Sequence, residues 1–408
     1  MSLIKPFRAL RPAPGRAAEV LAPPYDVLSS AEARERAKGK PWSFLHVSKA
    51  EIDLDANVDP YDPAVYAKAA ENLRGMMQAG VLVRDAKPSY YVYRLTRNGH
   101  TQTGLAAVAS TAAYAANRIR KHEYTTPAKE DDRVRQIEAV DAQTGPAMFA
   151  YPTAPALDAM LASAAAGTAA VDVTADDGVR HQLWVVGADE TIAALTGAVE
   201  ALPALYIADG HHRSAAALRI AQARGGEGAH SYFLAVLFPQ NEMTILDYNR
   251  VLRDLNGRSP QQVLTEISAR YAIEPSDQPV RPAAAAELGM FLAGRWHRLK
   301  PTPEALADVG RDPVGRLPVT LLHRNIIEPI FGVTDPRRDK RIDFVGGGRG
   351  LGELERLVSS GEAAVAFALY PTEMRDLMAV ADAGAVMPPK STWFEPKLAD
   401  GMVGHLLD

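Results

Sequence analysis

Apolar residues recur along this chain with two alternating spacings, one typical of helices and one typical of strands. Apolar positions three or four residues apart predict helices over residues 62–79, 128–142, 154–166, 261–271, 283–292, 317–330, 351–359 and 373–381. Short apolar and β-branched runs predict strands over residues 44–47, 90–95, 104–111, 149–152, 181–186, 231–238, 243–247, 296–299 and 364–369. This mixture predicts an α+β protein with a mixed sheet.

Within this pattern, one short strand leads into a strong helix through a glycine. The strand is followed by Asp209-Gly210-His211-His212-Arg213, and an alanine- and leucine-rich helix follows at once. A helix start presents unpaired backbone N–H groups and a partial positive charge, so it binds anions. Glycine lets the backbone turn sharply beside a ligand. With two histidines and an arginine here, the stretch predicts a phosphate or carboxylate site; the alternative is a helix-capping acid beside solvated histidines.

Two further concentrations of polar residues supply groups that the glycine turn lacks. His122 and Glu123 precede a predicted helix in an extended loop, where catalytic side chains are often presented, and Arg120 lies just before them. Near the C-terminus, a proline-stiffened segment carries Lys390 and Lys397, and a rigid lysine-bearing loop suits anion capture. The alternatives are a salt-bridged helix entry for the first and a packing segment for the second.

Composition limits the class of protein. The 408 residues, 47% of them hydrophobic, are enough for two domains, which we predict over 1–251 (α+β) and 252–408 (α/β). The net charge of −4 argues against a basic binder of nucleic acid or anionic membrane. With no cysteine, disulfides, thiolate catalysis and thiolate metal sites are excluded. The first residues are too polar for a signal peptide, and no apolar run reaches the ~20 residues of a membrane span, so we expect a soluble cytoplasmic protein.

The whole chain resembles domain-of-unknown-function family 1015, a bacterial and archaeal family. The resemblance rests on segments spread over nearly the full length, namely 22–27, 122–125, 209–213 and 387–398. Residues 209–213 are also similar to the phosphate-gripping turn of the ParB and sulfiredoxin superfamily, which includes free serine kinases. This similarity implies a mixed-sheet ParB/sulfiredoxin-like core in the N-terminal domain, with an additional α/β C-terminal part and nucleotide phosphates bound at the turn. The chemistry of sulfiredoxin itself needs a cysteine at the turn and is excluded.

The leading functional hypothesis is kinase-like phosphoryl transfer to serine or a similar hydroxyl-bearing metabolite, with ATP or ADP and Mg²⁺ as cofactors. Phosphate binding is assigned to Gly210, His211, His212, Arg213, Arg120, Lys390 and Lys397. Catalytic roles are assigned to Asp209, His122 and Glu123, and Mg²⁺ binding to Asp209 and Glu123. Asp26 is a further candidate for a carboxylate role.

Three alternatives stay open. The same groups suit phosphomonoester hydrolysis or a non-catalytic nucleotide-binding regulator. A metal-dependent hydrolase would use His46, His122, His211 and His212 as ligands, although the usual spacings of paired metal-binding histidines do not occur. The expected partners are a small-molecule substrate and a nucleotide or phosphate, without nucleic acid or membrane. The sequence does not determine the oligomeric state, and a dimer is among the states considered.

Overall fold

The computed structural model describes residues 2–307, 309 and 312–408, which form two compact units. The first unit comprises Met1–Met243 together with Pro396–Asp408, and the second comprises Thr244–Glu395. Both units mix strands with helices, which confirms the mixed α/β character expected from the sequence. The sequence-based domain boundary follows residue 251, whereas the structure divides the chain after Met243 and groups Pro396–Asp408 with the first unit.

Strands and mostly short helices alternate through both units. The strands are β1 Ile4–Lys5, β2 Leu10–Pro12, β3 Leu82–Arg84, β4 Tyr90–Arg97, β5 His100–Ser110, β6 Ile119–Arg120, β7 Ala142–Gln143, β8 Ala147–Tyr151, β9 Val171–Thr174, β10 Arg180–Val186, β11 Leu205–Asp209, β12 Tyr232–Pro239, β13 Thr244–Leu246, β14 Tyr248–Leu252, β15 Tyr271–Ser276, β16 Leu288–Leu292, β17 Arg295–Pro301, β18 Ile342–Gly346, β19 Val365–Leu369, β20 Trp393–Glu395 and β21 His405–Leu406. The helices are α1 Ala17–Val20, α2 Ser30–Ala37, α3 Leu45–Ser48, α4 Pro63–Gln78, α5 Thr111–Ala115, α6 Pro127–Val140, α7 Pro155–Ala164, α8 Asp189–Glu200, α9 His211–Arg224, α10 Pro260–Ser268, α11 Pro303–Leu306, α12 Pro318–Leu322, α13 Glu328–Phe331, α14 Leu351–Ser359 and α15 Met374–Asp382. Among the described residues, no helix has the length and apolar character needed to cross a membrane.

A mixed sheet forms the centre of the first unit. Its strands lie in the order β6-β11-β8-β12-β5-β4-β10-β9, and β1 pairs with β5. The β6/β11 and β8/β12 pairs are parallel, and the other pairs are antiparallel. Helices α7 and α8 pack against one face, where Leu157, Leu161, Leu195 and Val199 join the apolar core. The sheet therefore holds the end of β11, and with it the glycine turn, in a rigid frame.

The C-terminal residues return to this unit through short backbone pairings. Strand β21 pairs antiparallel with β7, with His405 opposite Gln143. Asp400 and Ala22 exchange two backbone hydrogen bonds of 2.9 and 3.2 Å. These pairings fix the segment that carries Lys397 and Asp400 within the first unit.

The second unit is built on an antiparallel sheet of its own. The strand order is β15-β17-β16-β19-β14-β18, and β13 pairs separately with β20. One apolar cluster joins this sheet to α10 and α13 through Val263, Ile267 and Phe331. A second cluster joins it to α14 through Leu354. The second unit thus has its own core, as an independently folded part of a chain requires.

Two of the predicted elements are wrong, and both lie in short apolar stretches. Residues 44–47, predicted as a strand, belong to helix α3, because a four-residue apolar run does not distinguish a buried strand from one helical turn. Residues 283–292, predicted as a helix, end in strand β16. A Cβ on Gly289 would collide with the Val280 carbonyl, so this glycine serves close backbone approach in a sheet.

Candidate functional site

The glycine turn joins β11 to α9 in the conformation that its sequence demands. Gly210 is the N-cap of α9 and has a left-handed backbone with φ of 100°. A Cβ at this position would lie 3.0 Å from both the Cα and the Cβ of Ala147 on the neighbouring strand. The register of β11 against β8 also shifts between Ile207 and Asp209. Both the backbone angle and the close approach to β8 therefore require glycine.

The first turn of α9 has the features of an anion-binding helix start. Among the described residues, no side chain caps this helix start, and its first turn contains no acidic residue. The hydroxyl of Ser214 donates to the Gly210 carbonyl at 3.0 Å, so it does not serve the N–H groups either. Unpaired N–H groups and the helix dipole are therefore directed at whatever occupies this position.

Arg213 is held inside the turn by two acids and a carbonyl. Its Nη2 lies 3.0 Å from Asp209 Oδ2 and 3.7 Å from Asp26 Oδ2, while its Nη1 donates to the Pro146 carbonyl. Burial lowers the pKa of this guanidinium, but the two carboxylates raise it by more, so the pKa lies above its ordinary value. The side chain is only 11% exposed. Arg213 thus connects the start of α9 to Asp26 and to Pro146, the residue before β8.

Asp209 is a fixed anion between two cations. Lys397 Nζ lies 3.7 Å from the same Oδ2 that contacts Arg213. Burial raises the pKa of Asp209, but Lys397 and Arg213 outweigh it and hold the pKa well below its usual range. An acid with so low a pKa orients cations or ligands and accepts a proton poorly near neutral pH.

His122, Glu123 and His211 form a second group at the same turn. The two imidazole rings are perpendicular, with centroids 4.5 Å apart, and His211 Nδ1 lies 3.9 Å from Glu123 Oε2. One ligand atom from each of the three side chains lies within 4.8 Å of the others. Burial lowers the pKa of His122 to about 4 and that of His211 well below its ordinary value, so both rings are neutral at pH 7.

The other predicted phosphate-binding residues have different partners. His212 Nε2 accepts a hydrogen bond from the Thr126 N–H at 3.2 Å, so its ring contacts the start of α6. Arg120 donates to the Tyr206 hydroxyl at 3.3 Å. Lys390 belongs to the second unit, where its carbonyl accepts a 2.9 Å hydrogen bond from Arg250. The assignment of these residues to a phosphate site stays a prediction.

Sequence reasoning missed Asp400, a buried carboxyl near Arg213. It is 2% exposed, and its Oδ2 accepts a hydrogen bond from the Tyr25 N–H at 3.2 Å. Burial raises its pKa from 3.8 to about 7, although the positive charge of Arg213 acts in the opposite direction. Asp400, Tyr25 and Arg213 line a cavity of about 40 Å³, large enough for a water molecule. A single aspartate in a loop has no spacing signal that would have revealed it.

A larger cavity of about 150 Å³ lies beside Lys397. Its lining includes Lys397, Arg36, Lys40, Asp176, His181 and Pro24. Lys40 forms an ion pair with Asp176, and the buried His181 accepts from or donates to the Tyr93 hydroxyl at 2.8 Å. Since Lys397 also contacts Asp209, one side chain links this cavity to the glycine turn.

His46, the remaining candidate metal ligand, lies in a different environment. Its Nδ1 is 2.8 Å from Asp53 Oδ1 and its Nε2 is 3.1 Å from the Lys40 carbonyl. The hydrogen bond with Asp53 raises the pKa of His46, opposite to the shifts at His122 and His211. Both ring nitrogens of His46 are thus engaged, and the histidine–carboxylate group found in the described residues excludes it.

Comparisons with known proteins give a family and weak structural likenesses. The sequence matches the family described as "Protein of unknown function (DUF1015)" over residues 4–320. No curated protein matches the chain. Among solved structures, C-terminally truncated SbnI from Staphylococcus aureus is 11% identical, with 73% of this chain and 86% of that chain covered and a TM-score of 0.37. A free serine kinase in complex with AMP is 10% identical, covering 71% and 86% at a TM-score of 0.36, and a conserved hypothetical protein from Pyrococcus furiosus is 13% identical, covering 72% and 93% at 0.35.

Proposed function

The chain belongs to the DUF1015 family of proteins of unknown function, and we propose that it binds a phosphate-bearing ligand at the start of α9 and catalyses small-molecule phosphoryl transfer there. The proposed phosphoryl donor is ATP, with ADP as product and Mg²⁺ as cofactor. The proposed acceptor is the hydroxyl of serine or a similar metabolite. We also propose that the sheet around β11 is a ParB/sulfiredoxin-like core.

The observation that supports the proposal is the position of Lys397 between the uncapped helix start and the cavity. Its ammonium lies 3.7 Å from Asp209, the residue before Gly210, and it lines the cavity of about 150 Å³. Backbone N–H groups and an ammonium are the donors that phosphate oxygens accept from. Arg36 and Lys40 line the same cavity, and Lys40 is paired there with Asp176.

Phosphoryl transfer to a hydroxyl also needs a group that orients or deprotonates the nucleophile. Asp209 suits orientation, because its two cations keep it ionised. Glu123 is 52% exposed beside His211, so it can reach a bound hydroxyl, and we assign it the role of base. Asp400 is buried near Arg213 and has a pKa of about 7, so we assign it a positioning role through that arginine.

Phosphomonoester hydrolysis is the second candidate, and the size of the cavity favours it. A volume of about 150 Å³ is well below the roughly 300 Å³ at which pockets for drug-sized ligands begin. It therefore suits a phosphorylated metabolite better than a whole nucleotide, whose base and ribose would have to lie outside this cavity. A non-catalytic regulator would use the same helix start without turnover.

Binding and turnover are tested separately on the full-length protein. We expect inorganic phosphate and ADP to give saturable heats in isothermal titration calorimetry, and Lys397→Gln to weaken both by about tenfold. Arg224→Gln, at the opposite end of α9 and paired with Asp141 at 2.7 Å, is the matched control and should bind as the wild type does. No binding of either anion would refute the proposal.

Turnover is then measured with labelled ATP and a pool of hydroxyl-bearing metabolites, and with a pool of metabolite phosphates. Label on a metabolite supports the kinase, and release of inorganic phosphate from the second pool supports the hydrolase. Anion binding with neither product supports the regulator.

A further inference from the structure

We propose that His122, Glu123 and His211 bind a divalent transition metal ion, with Zn²⁺ the preferred ion. The site differs from the Mg²⁺ site expected at Asp209 and Glu123, because two of its three donors are imidazole nitrogens. Its formation does not depend on the proposed phosphoryl transfer, but a Glu123 carboxylate bound to the ion would not also serve as the base of that reaction.

The three donors converge from two segments that the sheet brings together. Strand β6 runs parallel to β11, with Leu205 opposite Ile119 and Tyr206 opposite Arg120. The chain continues from β6 into His122 and Glu123, and from β11 into His211, so both segments leave the same edge of the sheet. One donor atom from each side chain then lies within 4.8 Å of the other two.

The distances are close to those of a metal site. A tetrahedral ion with bonds of about 2.0–2.1 Å holds its ligand atoms roughly 3.3 Å apart. His211 Nδ1 is already 3.9 Å from Glu123 Oε2, and the rings of His122 and His211 are in edge contact. The imidazoles are buried, whereas the Glu123 side chain is 52% exposed and can move the remaining distance.

His122 gives independent evidence for a ligand. Its side chain is 2% exposed, and among the described residues neither Nδ1 nor Nε2 has a hydrogen bond of standard geometry, the nearest contact being with the Ile207 backbone, which raises the pKa of the ring against the effect of burial. Buried polar atoms without partners are rare in native proteins, and such an atom calls for a specific explanation. The hydrogen bond that His211 Nε2 accepts from the His122 N–H is also long, at 3.4 Å, so the ring loses little when its proton moves to Nε2 and leaves the Nδ1 lone pair for the ion.

The donor set selects the class of ion. Imidazole nitrogen suits Zn²⁺ and its transition-metal neighbours, whereas Mg²⁺ prefers oxygen ligands and retains several waters. Two histidines and one glutamate make three protein ligands, which leave a coordination position open as catalytic zinc sites do. Since His211 is the first residue of α9, an anion at the helix start is the natural fourth ligand. Only this last step rests on the proposed function.

The test is direct metal binding by the chelator-stripped full-length protein. We expect one equivalent of Zn²⁺ per chain by elemental analysis after dialysis, retained in a large excess of Mg²⁺. Co²⁺ in its place should give visible d–d absorption bands. His122→Gln, Glu123→Gln and His211→Gln should each weaken Zn²⁺ binding at least tenfold. His212→Gln is the matched control, because its ring contacts Thr126, and it should keep full stoichiometry.

Circular dichroism of each metal-free variant shows whether it is folded, and the exposed Glu123→Gln change keeps the test valid if a histidine variant does not fold. Absence of stoichiometric Zn²⁺, or equal binding by Glu123→Gln and wild type, would overturn the proposal. Phosphate titrations of metal-free protein report on the proposed function alone, so failure of one proposal is distinguishable from failure of the other.

Discussion

Asp400 provides the sharpest test of the electrostatics of the first unit. Its carboxyl is buried beside the Arg213 cavity, and burial raises its pKa from 3.8 to about 7. An acid with a raised folded-state pKa binds its proton more tightly in the folded than in the unfolded protein. Its contribution to stability is therefore lost as pH rises from about 4 to about 7, and it is constant above that.

The magnitude follows from the pKa difference. Between pH 5 and pH 7, the folded carboxyl keeps its proton while the unfolded carboxyl is already ionised. Each pH unit in this window corresponds to about 1.4 kcal/mol, so the two units correspond to about 3 kcal/mol. Asp400→Asn removes the titration but keeps the size of the side chain and the backbone pairing with Ala22. The free energy of unfolding of the variant, relative to that of wild type, should thus rise by about 3 kcal/mol between pH 5 and pH 8.5.

Urea unfolding at pH 5 and pH 8.5, followed by circular dichroism, measures this change. The buried histidines also titrate, but they do so in both proteins and cancel in the difference. Asp277→Asn, whose side chain is 86% exposed, is the control and should change stability by less than about 0.5 kcal/mol at either pH. A wild-type-minus-Asp400→Asn difference that is the same at both pH values would refute the assigned burial of the charge.

Three further substitutions test the glycine turn. Gly210→Ala should destabilise the protein by about 2–3 kcal/mol in urea unfolding, because residue 210 has a left-handed φ and approaches Ala147 to 3.0 Å. The control Gly197→Ala lies in open space within α8 and should stabilise the protein by about 0.5–1 kcal/mol. Equal effects of the two substitutions would contradict this account. Arg213→Lys should cost about 2 kcal/mol, because an ammonium cannot reproduce the planar contacts, and a neutral result would show that those contacts contribute little. Lys397→Gln should raise the dissociation constant for phosphate about tenfold in calorimetry with little change in melting temperature, and unchanged affinity would remove Lys397 from the site.

The features that the sequence predicts well are those encoded locally. The helix predicted over 62–79 and the strands predicted over 90–95 and 104–111 are confirmed. Each depends on a local signal, since Asp62 caps a helix that begins with Pro63, and Asn98-Gly99 forms the turn between the two strands. The strand–glycine–helix arrangement around Gly210 is confirmed for the same reason. The two wrong elements lie where a short apolar or alanine-rich run suits either state, and there tertiary pairing decides.

The composition of the site depends on contacts between distant parts of the chain. His122 contacts His211 because β6 pairs with β11, and the sequence contains no sign of that pairing. The sequence likewise does not indicate that the backbone of Asp400 pairs with Ala22. Reasoning from residue types thus found the turn and the His122-Glu123 loop, while the partners of each side chain required the folded sheet.

The charges at the turn connect the two proposals. Arg213 and Lys397 supply two positive charges, and Asp209 and Asp26 supply two negative charges, so these four groups are together close to neutral. A phosphate monoester brings about −1.5 to −2 charges at pH 7, which this balance does not offset. A divalent ion at His211 would offset it within a few ångströms of the helix start. Phosphate should therefore bind the Zn²⁺-loaded protein more tightly than the stripped protein, and by thermodynamic linkage Zn²⁺ should bind more tightly in phosphate by the same factor. Calorimetric titrations in both orders measure the two factors, and independence of the two ligands would place the metal and the anion at separate sites.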